Sequence, residues 1–579
     1  MSQEMKNPYE EWGAHPENVH VGKRTAWFLS ALFILIILLP PVLRNVHNTF
    51  CKKKNQWIPV VEFFYHPNAI SQAALASKRS KHPAIEREQP NLQDHLRSFE
   101  SKLEDAEYAS AIRRWMQTKL TAVFGEGNNK AMIGDDGRLY YQPAIASLIG
   151  YGPLQPEPDS VMKNPDRASW TPPLPVITNF SQQLQQRGIE LLLVPVPVKP
   201  MIYPEGIGKT QTGPVWHKDQ QALYDELRQA GIEVLDLSEL FWSMKDQQEV
   251  FLKQDTHWTQ AAMQAAAKEV AAKIKGKDWF AETKGELKFT KHEINREHQG
   301  DLVGMLELVD GQNLFGKQKQ TLQVITDSKT GKPVANDADS PIVLLGDSFV
   351  NIYDFPGIGF ADPKWKSSDE SDSEPLIGAG FAQHLAAQLQ TPLNLYVANG
   401  GGATQVRKAF AKRPDNVVRA KKIVVWVLAS RDLLLSEGPA SSAGVFWRDV
   451  EFNQAIAKVT NTPIVEQSKA ITIEATLTER TALQDPKSTP YKEAIYSALF
   501  AIDDASAKQL NIEGNEIPAY LWGFRKRTVV ASGQLEAGKK YRITLVPWAS
   551  KTNLQSVQKM DDLFVLSDWW FVEKVEAVE

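Results

Sequence analysis

"PIVLLGDSFVNIY", residues 341–353, decides how this chain is to be read. The run from Ile342 to Leu345 has the composition of a buried strand, and it stops at Gly346. Asp347 and Ser348 follow at its carboxyl end, which is where open α/β sheets bind ligands. A serine on a tight turn there exposes its hydroxyl and can offer its own backbone N–H to an oxyanion. Gly-Asp-Ser also makes an ordinary turn, so the surroundings must decide between the two.

Outward from this stretch, helical and strand patterns alternate. On its amino-terminal side come a helix in "ITNFSQQLQQRG" (177–188), a buried strand in "IELLLVPVP" (189–197), a helix in "KDQQALYDELRQAG" (218–231) and a strand in "IEVLDLS" (232–238). "TQAAMQAAAKEVAAKI" (259–274) is helical, with Thr259 placed to cap it. A less regular stretch leads to residue 341. Beyond it lie the helix "GAGFAQHLAAQL" (378–389) and the strands "LNLYVAN" (393–399) and "KIVVWVLAS" (422–430). Apolar strands alternating with helices predict one α/β domain over about 125–440, a largely parallel sheet covered on both faces. The polar, acidic "WKSSDESDSEP" (365–375) reads as a mobile insertion in it.

Both flanks differ. Before the domain, "TAWFLSALFILIILLPPVL" (25–43) carries no charge. At about 1.5 Å rise per residue it nearly matches a hydrocarbon core of about 30 Å. No small-x-small cleavage site follows, so it reads as an uncleaved transmembrane anchor, with residues 1–24 a polar tail and 44–84 a linker. Lys6, Lys23 and Arg24 on one side nearly balance Arg44 and Lys52 to Lys54 on the other, so charge does not set the orientation. Residues 85–125 have apolar positions at helical spacing, and Asp136-Gly137 marks a turn before a short aromatic strand. After about 460, "AITIEATLTERT", "AIYSALFAID", "AYLWGFRKRTVV" and "KYRITLVPWAS" are strands without long helices between them, a small β-domain (460–579) of barrel or sandwich type. Its Trp522, Trp548, Trp569 and Trp570, with Tyr520 and Phe524, suit either a β-core or stacking on sugar rings.

Composition narrows the partners. Of 579 residues 42% are hydrophobic and 23% charged, as in globular proteins, and a formal net charge of -4 argues against nucleic acid. A single cysteine, Cys51, excludes an internal disulfide framework and a multi-cysteine metal site; it reads as a membrane-proximal thiol or a lipidation site.

A serine needs a base, and the base needs an orienting partner. The chain has 11 histidines. His384 falls within a helical pattern and reads as structural. In "HEINREH" (292–298) the histidines are six apart, on different helix faces and unlike the i, i+4 zinc pair, so no metal site is expected there. His257 in "QDTHWTQ" (254–260) lies just before a helix amino terminus, whose dipole favours a neutral imidazole. Asp255 stands two residues before it, placed either to orient the ring or, like Thr256, to cap the helix.

Taken together, "GDSF", "DTHW" and "NGGG" resemble the SGNH-type serine acyl-esterases and acyltransferases. The succession "GIELLLVPVPVKPMIYPE", "DTHWT", "GDLVGML", "LLGDSFVNIY" and "VVWVLASRDL", with one amino-terminal anchor, resembles the alginate O-acetyltransferase group of AlgJ and AlgX type over about residues 90–440. Here Asp-x-His precedes the serine, whereas most SGNH enzymes place Asp-x-x-His near the carboxyl end. The resemblance implies an SGNH-like α/β domain over 85–440 with Ser348 as nucleophile, His257 as base, Asp255 as its orienting partner and the Ser348 N–H as an oxyanion donor. Asn399 would be a second donor, or part of a turn with Gly400 to Gly402. Arg431 would position an acyl or sugar group, or form a structural ion pair; Val427 stands where the group carries an acidic residue, which weakens this assignment.

The implied activity is acetyl transfer through an acetyl-serine to hydroxyls of an exopolysaccharide. The acetyl group would be delivered by a membrane-bound O-acyltransferase partner, and the domain would face the periplasm from the inner membrane. No P-loop or G-x-G-x-x-G is present, so no cofactor site is expected. A carbohydrate esterase with the same triad and a non-catalytic glycan-binding assembly component are the competing readings.

Overall fold

The computed structural model describes residues 107–354 apart from 151 and 155–171, then 377–434, 447–453, and 470–578 apart from scattered positions between 482 and 568. The expected tail (1–24), anchor (25–43, with Cys51 beyond it), linker (44–84) and acidic insertion (365–375) lie outside these residues. Among the described residues no helix is long and apolar enough to cross a membrane. The chain divides into two compact units, 1–119 and 120–579. The described part of the first is the start of helix Glu107–Phe124; among the described residues, the sheets and the other helices belong to the second.

Strands β1 (Ala131–Ile133) and β2 (Leu139–Tyr141) form a short antiparallel hairpin. Gly137 turns it at φ 75°, in the left-handed region that only glycine enters freely. Strands β3 (Glu190–Val196) and β4 (Glu233–Val234) begin the main sheet. Strands β5 (Phe289–His298) and β6 (Gln318–Asp327) pair antiparallel over ten positions as a separate ribbon. Strands β7 (Ile342–Gly346), β8 (Asn394–Val397) and β9 (Ile423–Ala429) complete the main sheet, with order β4-β3-β9-β7-β8 and every pairing parallel.

The apolar runs explain why this sheet is covered twice. Side chains alternate faces along a strand, so a strand apolar at every position must bury both. Leu192, Val194, Ile342, Leu344, Val425 and Val427 pack on one side with Val270 of helix Gln260–Lys275 and Leu385 of helix Phe381–Leu389. Leu191, Leu193, Val343, Leu345, Val424 and Trp426 pack on the other with Phe180 of helix Pro173–Gln185 and Leu223 of helix Gln220–Gln229. The strand expected in "IEVLDLS" is cut to two residues. Asp236 turns its carboxylate back to the Ser238 N–H and hydroxyl, at 2.9 and 2.6 Å, and starts helix Ser238–Met244 instead.

In the carboxyl-terminal region, β10 (Ile471–Arg480), β11 (Ala494–Ala501), β12 (Glu516–Arg525), β13 (Thr528–Val529), β14 (Lys540–Pro547), β15 (Gln558–Met560) and β16 (Trp570–Ala577) make a second sheet. Its order is β13-β12-β16-β14-β10-β11-β15, and an additional β12–β11 pairing closes it into a barrel. Closure leaves the barrel strands no open edge, and Leu477, Tyr496, Phe500, Leu521 and Ile543 fill the inside. The last two strands were not expected from sequence. On the outside, Tyr520 stacks on Trp569 at 4.5 Å, with Phe571 buried beside them and Trp522 and Trp548 half-buried against the same cluster. Most of these aromatics are therefore packing residues.

Barrel and parallel sheet meet at a buried ion pair. Lys408, on helix Gln405–Ala411, reaches Asp561 at 2.7 Å and the Leu563 carbonyl, and the Tyr520 hydroxyl donates to the other Asp561 oxygen at 2.7 Å.

Candidate active site

Ser348 stands at the carboxyl end of β7, next to β9 at the middle of the main sheet. The turn is built by Asp347, whose carboxylate accepts from the Phe349 N–H at 2.9 Å and from the Ala429 N–H of β9 at 3.2 Å. Gly346 is required there: a Cβ would lie 2.3 Å from the Val350 side chain as the backbone folds back into the one-turn helix Ser348–Asn351.

His257 is held by the segment before the Gln260–Lys275 helix. The cap of that helix is Thr259, whose hydroxyl accepts from Ala262 N–H at 3.3 Å, which leaves Asp255 for other work. Asp255 Oδ1 accepts from the His257 backbone N–H at 3.0 Å and from its ring Nδ1 at 2.6 Å. A proton on Nδ1 leaves Nε2 as an acceptor, and Nε2 lies 2.8 Å from Ser348 Oγ. Trp258 anchors the segment by donating to the Phe349 carbonyl at 3.0 Å, and the Phe349 ring lies 4.8 Å from that of His257. Ser348, His257 and Asp255 thus form one hydrogen-bonded chain, 2%, 5% and 1% exposed. Water has little access to compete with it.

Burial works against charge on His257, but the carboxylates of Asp255, Asp301 and Asp347 outweigh it and raise the imidazole above its ordinary range. These acids act in the opposite sense to the helix dipole. Burial would raise the Asp255 pKa, yet the His257 charge and the hydrogen bonds from His257 and His298 hold it well below the carboxylate norm.

The remaining expected residues stand apart from this chain. The Asn399 side-chain oxygen accepts from Asn351 at 2.9 Å. Arg431 is paired with Asp432 at 3.5 Å and faces the Tyr141 ring at 5.5 Å, with Phe349 at 6.0 Å. His384 is buried in its helix, its Nε2 3.2 Å from the Gln323 carbonyl, and burial lowers it to about 4.

Three site residues went unread in the sequence. His298, from "HEINREH", ends β5 with Nε2 2.8 Å from Asp255 Oδ2. Asp301 sends its N–H to the same oxygen at 2.9 Å, while its own carboxylate takes the Thr256 N–H and hydroxyl at 2.9 and 2.6 Å. Gly300 between them admits this approach, since a Cβ there would sit 1.9 Å from the Gln254 carbonyl oxygen. "GDLVGML" carried the signal, but without a role. The third, Tyr491, donates its hydroxyl to Ser348 Oγ at 3.1 Å. It lies 143 residues further along the chain, in another region, and nothing local marks it. Among the described residues, Asp255, His257 and Asp301 have ligand atoms within 4.8 Å of one another, close enough to share a cation. Both carboxylates of this group already accept hydrogen bonds from protein donors.

A serine on the turn after a central parallel strand, facing a histidine and an aspartate, on a sheet covered by helices on both sides, is the layout of the SGNH hydrolase-like class. Residues 157–430 match the family model described as "SGNH hydrolase-like domain, acetyltransferase AlgX". It is 26% identical over 245 residues to the probable alginate O-acetylase AlgJ of Pseudomonas aeruginosa, covering 42% of this chain and 58% of that protein. With the probable AlgJ of Pseudomonas syringae pv. tomato it shares 29% identity over 319 residues, 54% of this chain and 71% of that one. The solved O-acetyltransferase domain of Pseudomonas putida AlgJ aligns with a TM-score of 0.37 at 20% identity, over 53% of this chain and 94% of that domain.

Proposed function

We propose that this protein is a serine O-acetyltransferase that carries acetyl groups on Ser348 to hydroxyls of an exopolysaccharide, alginate or a polymer of similar chemistry. The observation that carries it is the hydrogen-bonded run Asp255–His257–Ser348, at 2.6 and 2.8 Å, on an SGNH-like sheet. The names of the AlgJ relatives support the acetyl and alginate parts of the reading.

In the first half-reaction Ser348 Oγ attacks the acetyl carbonyl while His257 Nε2 takes its proton. The oxyanion collects at the Ser348 N–H, and the donor's leaving group departs with the proton from His257. In the second, a sugar hydroxyl gives its proton to His257 and attacks the ester. The Oγ–carbonyl bond then breaks and Oγ recovers the proton. Asp255 keeps the ring in the tautomer that makes both halves possible. Asn399 serves as a further oxyanion donor, its orientation set by the bond to Asn351. Arg431 shapes the acyl side of the site through Phe349.

Residues 25–43 anchor the chain in the bacterial inner membrane, with 85–579 in the periplasm, where a membrane-bound O-acyltransferase supplies acetyl groups. The uncharged run supports the anchor. Carboxyl-terminal reporter fusions active only in the cytoplasm would overturn it.

The catalytic test uses the purified protein with a chromogenic acetyl ester and soluble alginate. Acetylated polymer should form, and Ser348→Ala and His257→Ala should each abolish it, because triad losses do not add. Acetate release without polymer acetylation would point to an esterase. Undiminished transfer by Ser348→Ala would remove the assignment.

A further inference from the structure

The nucleophile has a third partner, and it comes from the barrel. Ser348 Oγ lies 2.8 Å from His257 Nε2 and 3.1 Å from the Tyr491 hydroxyl. With the serine proton directed to Nε2, the tyrosine is the donor of the second bond. Tyr491 stands just before β11 and is buried, 8% exposed. Its ring is seated against the "NGGG" turn: a Cβ on Gly400 would come within 2.7 Å of it. Gly400 has φ 71°, so that turn needs glycine both for its backbone and for the ring beside it.

We propose that Tyr491 is a catalytic residue of the transfer step, donating a hydrogen bond to Ser348 Oγ as that oxygen leaves the acetyl group. The inference rests on the acetyl-Ser348 reading. When the acceptor hydroxyl has attacked, the carbonyl carbon–Oγ bond breaks and its electron pair goes to Oγ. The proton that neutralises Oγ comes from the His257 imidazolium, which had taken it from the acceptor. Tyr491 gives up no proton; burial and the nearby charge of Asp347 hold its phenol in the protonated form, against the opposing effects of Ser348 and Arg431. Its part is to stabilise the charge on Oγ between bond breaking and proton return, the task that fixed donors perform at developing oxyanions. The same bond holds the hydroxyl toward His257 in the free enzyme. The barrel therefore completes the active site, whatever else it binds.

The test is Tyr491→Phe in the full chain, which keeps the ring against Gly400 and removes only the hydroxyl. With an activated phenyl acetate, acylation is driven by the good leaving group and the loss should fall on deacylation. Steady-state turnover should drop about 10- to 100-fold, the range for losing one hydrogen bond to a developing charge. A burst of one equivalent should remain, and intact mass during turnover should show acetyl-enzyme accumulating. A purely packing role predicts wild-type turnover with no accumulation, and that result would overturn the inference. Ser348→Ala separates the two readings. If it is inactive while Tyr491→Phe behaves as wild type, only the tyrosine assignment fails. If it still turns over, the acetyl-serine reading fails first.

Discussion

His298 Nε2 lies 2.8 Å from Asp255 Oδ2, on the carboxylate oxygen opposite the one that holds His257. Asp255 is thus a buried anion bridging two imidazoles. Each of its oxygens also takes a backbone N–H, from His257 and from Asp301. Four donors on one carboxylate stabilise its charged form and leave it one orientation. The base of the site is therefore aimed by a residue that is itself aimed.

Asp255→Asn should lower kcat by about 10²- to 10⁴-fold, because an amide places an NH2 group where donors converge and the ring loses its tautomer. KM for the acetyl ester should change little. Steady-state kinetics check this, and a loss below tenfold would mean that Asp255 does not orient His257.

His298→Ala should cost about tenfold in kcat, a fraction of the Asp255 effect, since it removes one of four donors to that carboxylate. His298→Gln, which retains a donor, should recover most of the loss. Equal defects in both variants would point to bulk packing rather than the hydrogen bond.

Activity should fall as pH is lowered. The base must be neutral to accept the serine proton, and its carboxylate neighbours raise its pKa despite burial. The acid limb of kcat/KM should therefore lie above the ordinary histidine value of about 6.5. Asp301→Asn removes one of the charges that raise His257 and should move that limb to lower pH. An unchanged or raised midpoint in the variant would count against the electrostatic account.

Asp561→Ala should destabilise the folded protein by about 3–5 kcal/mol, because it strands the buried Lys408 ammonium between barrel and sheet. Chemical denaturation of the full chain measures this. A shift below about 1 kcal/mol would mean that water reaches the pair and screens it.

Much of this protein was legible along the chain. Strands β3, β7 and β9 are apolar at nearly every position, so the sequence alone required a sheet buried on both faces, and Ser348 could be placed at its carboxyl end. Asp-x-His before a capped helix was readable too, because the cap and the ring contact are local. What stayed hidden depends on distant packing. "HEINREH" has no helical zinc spacing, yet a ten-residue β ribbon carries its last histidine to Asp255, 43 residues earlier in the chain. The raised pKa of His257 required Asp301 and Asp347 to converge from two other segments. Tyr491 touches the nucleophile only because the barrel closes and docks through Lys408 and Asp561. Periodicity and caps report interactions within a few residues of each other, so they determined the elements and the nucleophile's place. Which donors surround a buried carboxylate or a serine oxygen was decided only when those elements packed together.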